Sequence, residues 1–279
     1  MSDPADRIEA PRFEEGEGAA PGRGRLRGRR ILVIGAGTRA SAAPDAPIGN
    51  GRAIAVLCAR EGAAIGCADR DAALAEETLR QVEKEGGRGA VLVADVSDPA
   101  ACARVVEDAE RALGGLDGVV LNVGIAEGRG LAGSDAGSWD RTFAVNLRAH
   151  FLVARAALPR LPAGGAIVFV SSVAGRTPGS GIPAYDASKA GIDGLMRHVA
   201  HEGARRGVRA NAVLPGLIDT PLGRVATEGR PSRGRTRVPL GRQGTGWEVA
   251  YGTLFLLSGE SGYVTGQSLV VDGGLTALR

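Results

Sequence analysis

Lysine is almost missing from this chain. Of 34 cationic residues only Lys84 and Lys189 are lysines; the other 32 are arginines. A lysine is therefore a departure from habit, and Lys189 draws notice. Aromatic residues make up 4% of the 279 positions, so Ala, Val, Leu and Ile must fill the core. The three cysteines, Cys58, Cys67 and Cys102, are too few and too scattered for a disulfide framework or a zinc site. They read as small buried hydrophobes and fit a reducing, cytoplasmic setting. No run of about 18 apolar residues exists, so no membrane span is expected. The N-terminus is polar and acidic and lacks the apolar stretch of a secretory signal. His150, His198 and His201 stand apart from any acid cluster, so no metal site is expected.

The net charge of +3 is unevenly spread. Residues 1–21 carry net −4, and residues 22–30 (GRGRLRGRR) carry net +5. The rest is nearly neutral, which argues against a nucleic-acid-binding domain. The arginine cluster could touch nucleic acid or a membrane as a tail. The plainer reading is a solvated linker beside its own acids. Residues 1–25 show no periodicity and read as a disordered tail.

From Leu26 onward the text changes. Apolar runs at 30–34, 64–68, 90–94, 118–122, 166–171, 209–213 and 268–271 read as strands. Helical patterns lie near 50–62, 71–86, 98–114, 136–160, 183–206 and 246–257, with Asn50, Asp71, Ser97, Ser138 and Thr245 as expected N-caps. Strands that are apolar almost throughout, alternating with helices, predict an α/β fold. The expected architecture is one Rossmann-type, doubly wound domain over 26–279 with a seven-stranded parallel sheet. Two stretches break the alternation. Residues 36–48 follow the first strand as a long loop. Residues 217–238 form a polar, Arg-rich insert, read as a substrate lid that includes Arg224, Arg230, Arg233, Arg235 and Arg237.

After the first strand come Gly35 and Gly37, the loop, then Gly49, Asn50 and Gly51 opening a helix. Glycines let backbone approach a pyrophosphate, and the helix N-terminus supplies N–H donors. Asp69 ends the second strand, where a carboxylate accepts hydrogen bonds from a ribose diol. A carboxylate there repels a 2′-phosphate, so NAD is favoured over NADP; Arg70 next to it pulls the other way. Asp95 and Val96 end the third strand, where they suit an adenine amino group and ring. Asn122 and Gly124 end the fourth, where Asn122 either bridges backbone groups or meets a ribose.

Ser172 ends the fifth strand, and Tyr185 and Lys189 follow on a helix. Their i, i+4 spacing puts both side chains on one face. A phenol with an ordinary pKa near ~10 is a poor acid–base group at neutral pH, and an ammonium beside it stabilises the phenolate. A compact ammonium suits this task better than a guanidinium. Ser172 is placed to hold a substrate oxygen, and Asn146 to hold a water that links Lys189 to solvent.

These residues resemble the short-chain dehydrogenase/reductase family over roughly residues 26–275. The match also includes Pro215-Gly216 and the segments Tyr263–Gln267 and Val271–Gly274. The resemblance implies Tyr185 as acid–base, Ser172 as oxyanion partner, Lys189 on the nicotinamide ribose and Asn146 in a proton relay. It implies that Pro215, Gly216 and Ile218 border the nicotinamide, with Thr220 near its carboxamide or the phosphates. It further implies a homo-tetramer built on the helices at 136–160 and 183–206. The glycine turn departs from the family's Thr-Gly-x-x-x-Gly-x-Gly: Ile34 replaces Thr, and ten residues are extra between Gly35 and Gly49. Leu121 and Val123 replace members of the family's Asn-Asn-Ala-Gly. The expected function is NAD(P)-dependent interconversion of a secondary alcohol and a ketone, with a 3-oxoacyl or similar small carbonyl substrate. The alternative is a catalytically silent cofactor-binding regulator of the same fold. The intact set of Asn146, Ser172, Tyr185 and Lys189 argues against that alternative.

Overall fold

Val, Ile, Leu and Ala dominate the central strands, and both faces of those strands are buried. The computed structural model describes residues 9–39, 45–228, 233 and 236–278. In chain order the elements are α1 (Glu14–Glu17), β1 (Arg30–Ile34), α2 (Asn50–Arg60), β2 (Ala64–Asp69), α3 (Ala72–Lys84) and β3 (Arg88–Val93). Then come α4 (Pro99–Leu113), β4 (Gly118–Leu121), α5 (Ala136–Phe143), α6 (Ala149–Ala157), β5 (Ala166–Val170) and α7 (Pro183–Ala204). The last are β6 (Arg209–Pro215), β7 (Ile218–Asp219), α8 (Pro221–Glu228), β8 (Gly244–Thr245), α9 (Gly246–Leu257) and β9 (Ser268–Val271).

Seven strands form one parallel sheet in the order β3-β2-β1-β4-β5-β6-β9. Helices α4, α6 and α7 cover one face, and α2, α3 and α9 cover the other. The chain reverses direction between β1 and β4, which opens a crevice at the carboxyl ends of these strands. Gly35, Asp69, Asn122, Ser172 and Gly216 all lie at that edge or one or two residues beyond it.

Some local expectations need correction. Asp71 caps α3, and Thr245 caps α9 in a capping box with Glu248. The cap of α2 is Gly49 rather than Asn50. The cap of α4 is Asp98 rather than Ser97, because the Asp98 carboxylate accepts the Ala100 N–H ahead of Pro99. The cap of α5 is Asp135, with Ser138 as its reciprocal partner. The helix expected over 136–160 is broken by a π-helical turn, Ala144–Arg148. There the Ala149 N–H reaches back five residues to the Ala144 carbonyl.

Residues 1–8, the start of the expected disordered tail, lie outside the described residues. Residues 9–25 depart from that expectation, because they lie along the body as an arm. Ala20 and Leu26 are buried. Glu61, fully buried, accepts the backbone N–H groups of Arg23 and Arg25 and pairs with the Arg25 guanidinium at 2.6 Å. Arg30 pairs with Asp117, and Arg29 donates to the Gly164 carbonyl. Much of the arginine cluster thus ties chain to body rather than forming a solvated linker. Among the described residues no helix is long and apolar enough to cross a membrane.

Candidate active site

The glycine-rich turn is closed by a hydrogen bond that the sequence hides. The Gly49 N–H donates to Thr38 Oγ1 at 3.1 Å. Thr38 therefore abuts Gly49 although ten positions separate them in the sequence. Without those ten the turn reads Gly35-Ala36-Gly37-Thr38-Gly49-Asn50-Gly51, the Gly-x-x-x-Gly-x-Gly spacing. Gly51, the third glycine of the turn, is sterically required. A Cβ there would meet the Gly35 carbonyl and the Asn122 amide.

The other expected cofactor residues gather around this turn. Asp69 accepts the Gly37 N–H at 2.9 Å and the Asp71 N–H at 3.1 Å, one on each carboxylate oxygen. Asn122 donates to the Gly35 carbonyl at 2.9 Å, so it bridges backbone groups. Asp95 accepts the Ser97 N–H, which together with the Ser97 hydroxyl and the nearby Arg70 charge holds its carboxyl below the usual range. Val96 is buried in the core beneath α4. On the far side of the crevice, Pro215 ends β6, and Gly216 stands so close to Asp272 that a Cβ would clash. Ile218 is held in β7 by pairing with Gly244, and Thr220 Oγ1 accepts the Gly223 N–H.

Four side chains converge at the centre. The π-helical turn carries Asn146, whose Oδ1 accepts the Ile125 N–H at 2.8 Å. Its Nδ2 donates to the Ile125 carbonyl and to Ser188 Oγ. Lys189 Nζ donates to the Val170 carbonyl at 3.1 Å and lies 5.7 Å from the Tyr185 ring centroid. Ser172 lies close enough to the Tyr185 phenol to bear on its protonation and accepts the Ala174 N–H. Gly124 leaves room here: a Cβ on it would come within 3.4 Å of Lys189 Nζ and 3.6 Å of Asn146 Oδ1.

A family profile described as enoyl-(acyl carrier protein) reductase matches residues 46–276. The (3R)-3-hydroxyacyl-CoA dehydrogenase of Mus musculus is 38% identical over 262 residues, covering 90% of this chain and 97% of that one. The 3-oxoacyl-[acyl-carrier-protein] reductase of Thermotoga maritima is 37% identical over 257 residues, covering 90% and 99%. A crystal structure of a short chain dehydrogenase from Burkholderia cenocepacia in complex with NADP superposes with a TM-score of 0.82. It is 32% identical and covers 91% of this chain and 100% of that one. The chain belongs to the short-chain dehydrogenase/reductase family. It is an NAD(P)-dependent oxidoreductase acting on a secondary alcohol or the matching ketone.

The crevice of this dehydrogenase/reductase fits a nicotinamide dinucleotide. Gly37 and Gly124 present bare backbone, and the first turn of α2 opens toward the glycine loop. Among the described residues the buried Asn50 Oδ1 has no hydrogen-bond partner. That amide, in either orientation, is available to a ligand at the helix start.

Burial sets the electrostatics of the centre. It pushes Lys189 down to about 8 and the Tyr185 phenol up; Ser172 pulls the phenol back and Asp186 adds to the rise. His150, one turn beyond Asn146, is buried and pushed down to about 3, with the Lys189 charge contributing. Its Nε2 faces the Leu121 carbonyl at 3.1 Å. The expected lid is tied back at both ends of its described part. Arg224 pairs with Asp219 at 2.9 Å and with Asp45 at 3.0 Å, and Arg233 donates to the Gly223 carbonyl and Thr227 Oγ1. Arg230 and Arg235 lie outside the described residues. Among the described residues no cluster of three metal-ligating side chains occurs.

Proposed function

We propose that this enzyme interconverts a 3-hydroxyacyl and a 3-oxoacyl thioester, with Tyr185 as the proton donor and acceptor and NAD as the preferred cofactor. The observation that carries the reading is the grouping of Asn146, Ser172, Tyr185 and Lys189 at the carboxyl edge of the sheet, with Lys189 and Asn146 next to Gly124 and Ser172 beside the Tyr185 phenol. When bound, the nicotinamide supplies or accepts the hydride. Ser172 holds the substrate oxygen beside the phenol. Tyr185 gives its proton to that oxygen during reduction and takes it back during oxidation. Lys189 lowers the cost of the phenolate and binds the nicotinamide ribose. Asn146 holds a water that passes the proton onward. Gly35, Gly37, Gly49 and Asn50 cradle the pyrophosphate. Asp95 and Val96 receive the adenine, Asn122 and Gly124 line the ribose path, and Pro215, Gly216, Ile218 and Thr220 border the nicotinamide.

The thioester class is supported by the two relatives named above, both of which act on 3-hydroxyacyl or 3-oxoacyl groups by name. NAD is supported by Asp69, which offers a carboxylate at the turn, although Arg70 next to it pulls the other way. The NADP in the Burkholderia structure belongs to that protein. A homo-tetramer is supported by a groove on α5, α6 and α7 in which Phe143, Leu147, Phe151 and Leu195 lie beside Asp140 and Arg148. Stacked Trp139 and Phe143 lie on the same helix, α5, and are partly exposed. The test is turnover of acetoacetyl-CoA with NADH and NADPH, beside simple ketones of similar size. Reduction of the ketones without reduction of the thioester would remove the thioester reading.

A further inference from the structure

We propose that residues 9–20 act as a strap that holds the nicotinamide-bordering segment Leu217–Asp219 in its binding geometry. This rests on the cofactor placement proposed above, and it assigns the N-terminal arm a part in cofactor binding.

The arm reaches the segment that returns from the lid at two places. At its start, the Ala10 N–H donates to the Leu240 carbonyl at 3.0 Å, and Arg242 Nε donates to the Ala10 carbonyl at 3.0 Å. Six residues on, Thr245 Oγ1 donates to the Gly16 carbonyl at 2.7 Å. Arg242 is itself fixed by Glu248 at 2.7 Å, and Glu248 closes the capping box of α9. The residues so gripped are those of β8 and its approach. Gly244 and Thr245 pair with Ile218 and Asp219, and the Gly244 N–H donates to the Leu217 carbonyl. Two residues per strand make a weak ladder, which cannot hold register by itself. The strap adds side-chain and backbone bonds on its outer side.

The strap is in turn pegged to the body. Gly18 has φ +75° and lies flat on the Trp247 indole, where any Cβ would overlap the ring. Arg60 donates to the Gly18 and Ala20 carbonyls and sits over the same indole. The strap is thus held at α2 and α9 and reaches the cofactor-facing segment through β8. It touches none of the four central side chains. Loss of the strap should depopulate the cofactor-competent geometry without altering the reacting groups.

Two full-length variants test this. Gly18→Val places a branched side chain against Trp247 and lifts the strap. Ala10→Pro removes the N–H that reaches Leu240. NADH and NADPH affinities are measured by cofactor fluorescence, and kcat by turnover at saturating cofactor. Trp247 emission reports undocking in Gly18→Val. If the competent population falls to about a tenth, cofactor Kd and KM rise about tenfold while kcat stays within about twofold. An arm that only stabilises the fold would lower Tm and leave this split unmoved. Wild-type Kd in both variants overturns the proposal. Failure of the wild-type protein to bind either dinucleotide overturns the cofactor placement itself, and is seen before the variants are compared.

Discussion

Lys189 and Tyr185 share one face of α7, the lysine Nζ 5.7 Å from the phenol ring centroid. Each is displaced from its ordinary protonation range by burial, the ammonium downward and the phenol upward. The pair is therefore costly to bury and is held by neighbours. Ser171 Oγ donates to the Lys189 carbonyl, and Ser188 Oγ donates to the Tyr185 carbonyl. Folding free energy from the surrounding core keeps in place two groups that would each be better solvated outside.

Replacing Tyr185 by Phe keeps the ring and removes the proton. We expect kcat to fall by about 10²–10⁴, the usual worth of an acid–base group. Cofactor Kd, measured by fluorescence titration, should change little. A variant with wild-type kcat would show that another group moves the proton.

Asp69 presents a carboxylate to the turn, where a ribose diol is welcome and a 2′-phosphate is repelled. We expect NADH to bind more tightly than NADPH by about 1–3 kcal/mol, roughly 5 to 150-fold. Asp69→Ala should narrow that gap mainly by improving NADPH. Equal affinity for both cofactors in the unaltered enzyme would refute the preference.

His150 has a folded-state pKa near 3, far below its ordinary value. The unfolded chain takes up a proton near pH 6.5 that the folded chain refuses. The stability this histidine contributes is thus complete above pH 6.5 and is lost as the pH falls toward 3. Between pH 6.5 and 5 the loss should reach about 2 kcal/mol, before the carboxylates enter their own range. Urea unfolding across that window should show the slope in the wild type and a flatter one in His150→Asn.

The carboxylate of Glu61 is wholly buried and carries the arm's Arg25 together with two backbone N–H groups. Removing one partner of such a pair leaves the other charge uncompensated. Glu61→Ala should cost about 3–5 kcal/mol by urea unfolding. A loss under about 1 kcal/mol would mean that water replaces the carboxylate.

Much of this was readable from local text. The strands announce themselves because each is apolar on both faces, and Tyr185, Lys189 and Ser172 stand at spacings that one helix and one strand end convert into neighbours. What escaped was non-local or out of phase. Thr38 and Gly49 are joined through space by one hydrogen bond, and ten intervening residues mask the glycine spacing. Arg224 finds Asp45 across 179 positions. The arm has no apolar period, because backbone bonds and ion pairs supplied by the body, rather than a hydrophobic stripe, hold it down. A pattern search at 3.6 residues per turn runs straight through Ala144–Arg148, since one surplus residue shifts the phase without changing the composition.

That surplus residue makes the centre sensitive to chain length as well as to residue type. Each residue turns a helix by about 100°, so removing any one of the other four positions in 144–148 would restore the α-helical ladder and swing Asn146 away from Ile125 and Ser188. Single-codon deletions in this short stretch should therefore be purged more severely than most substitutions there, a signature that a deletion scan of the gene would display.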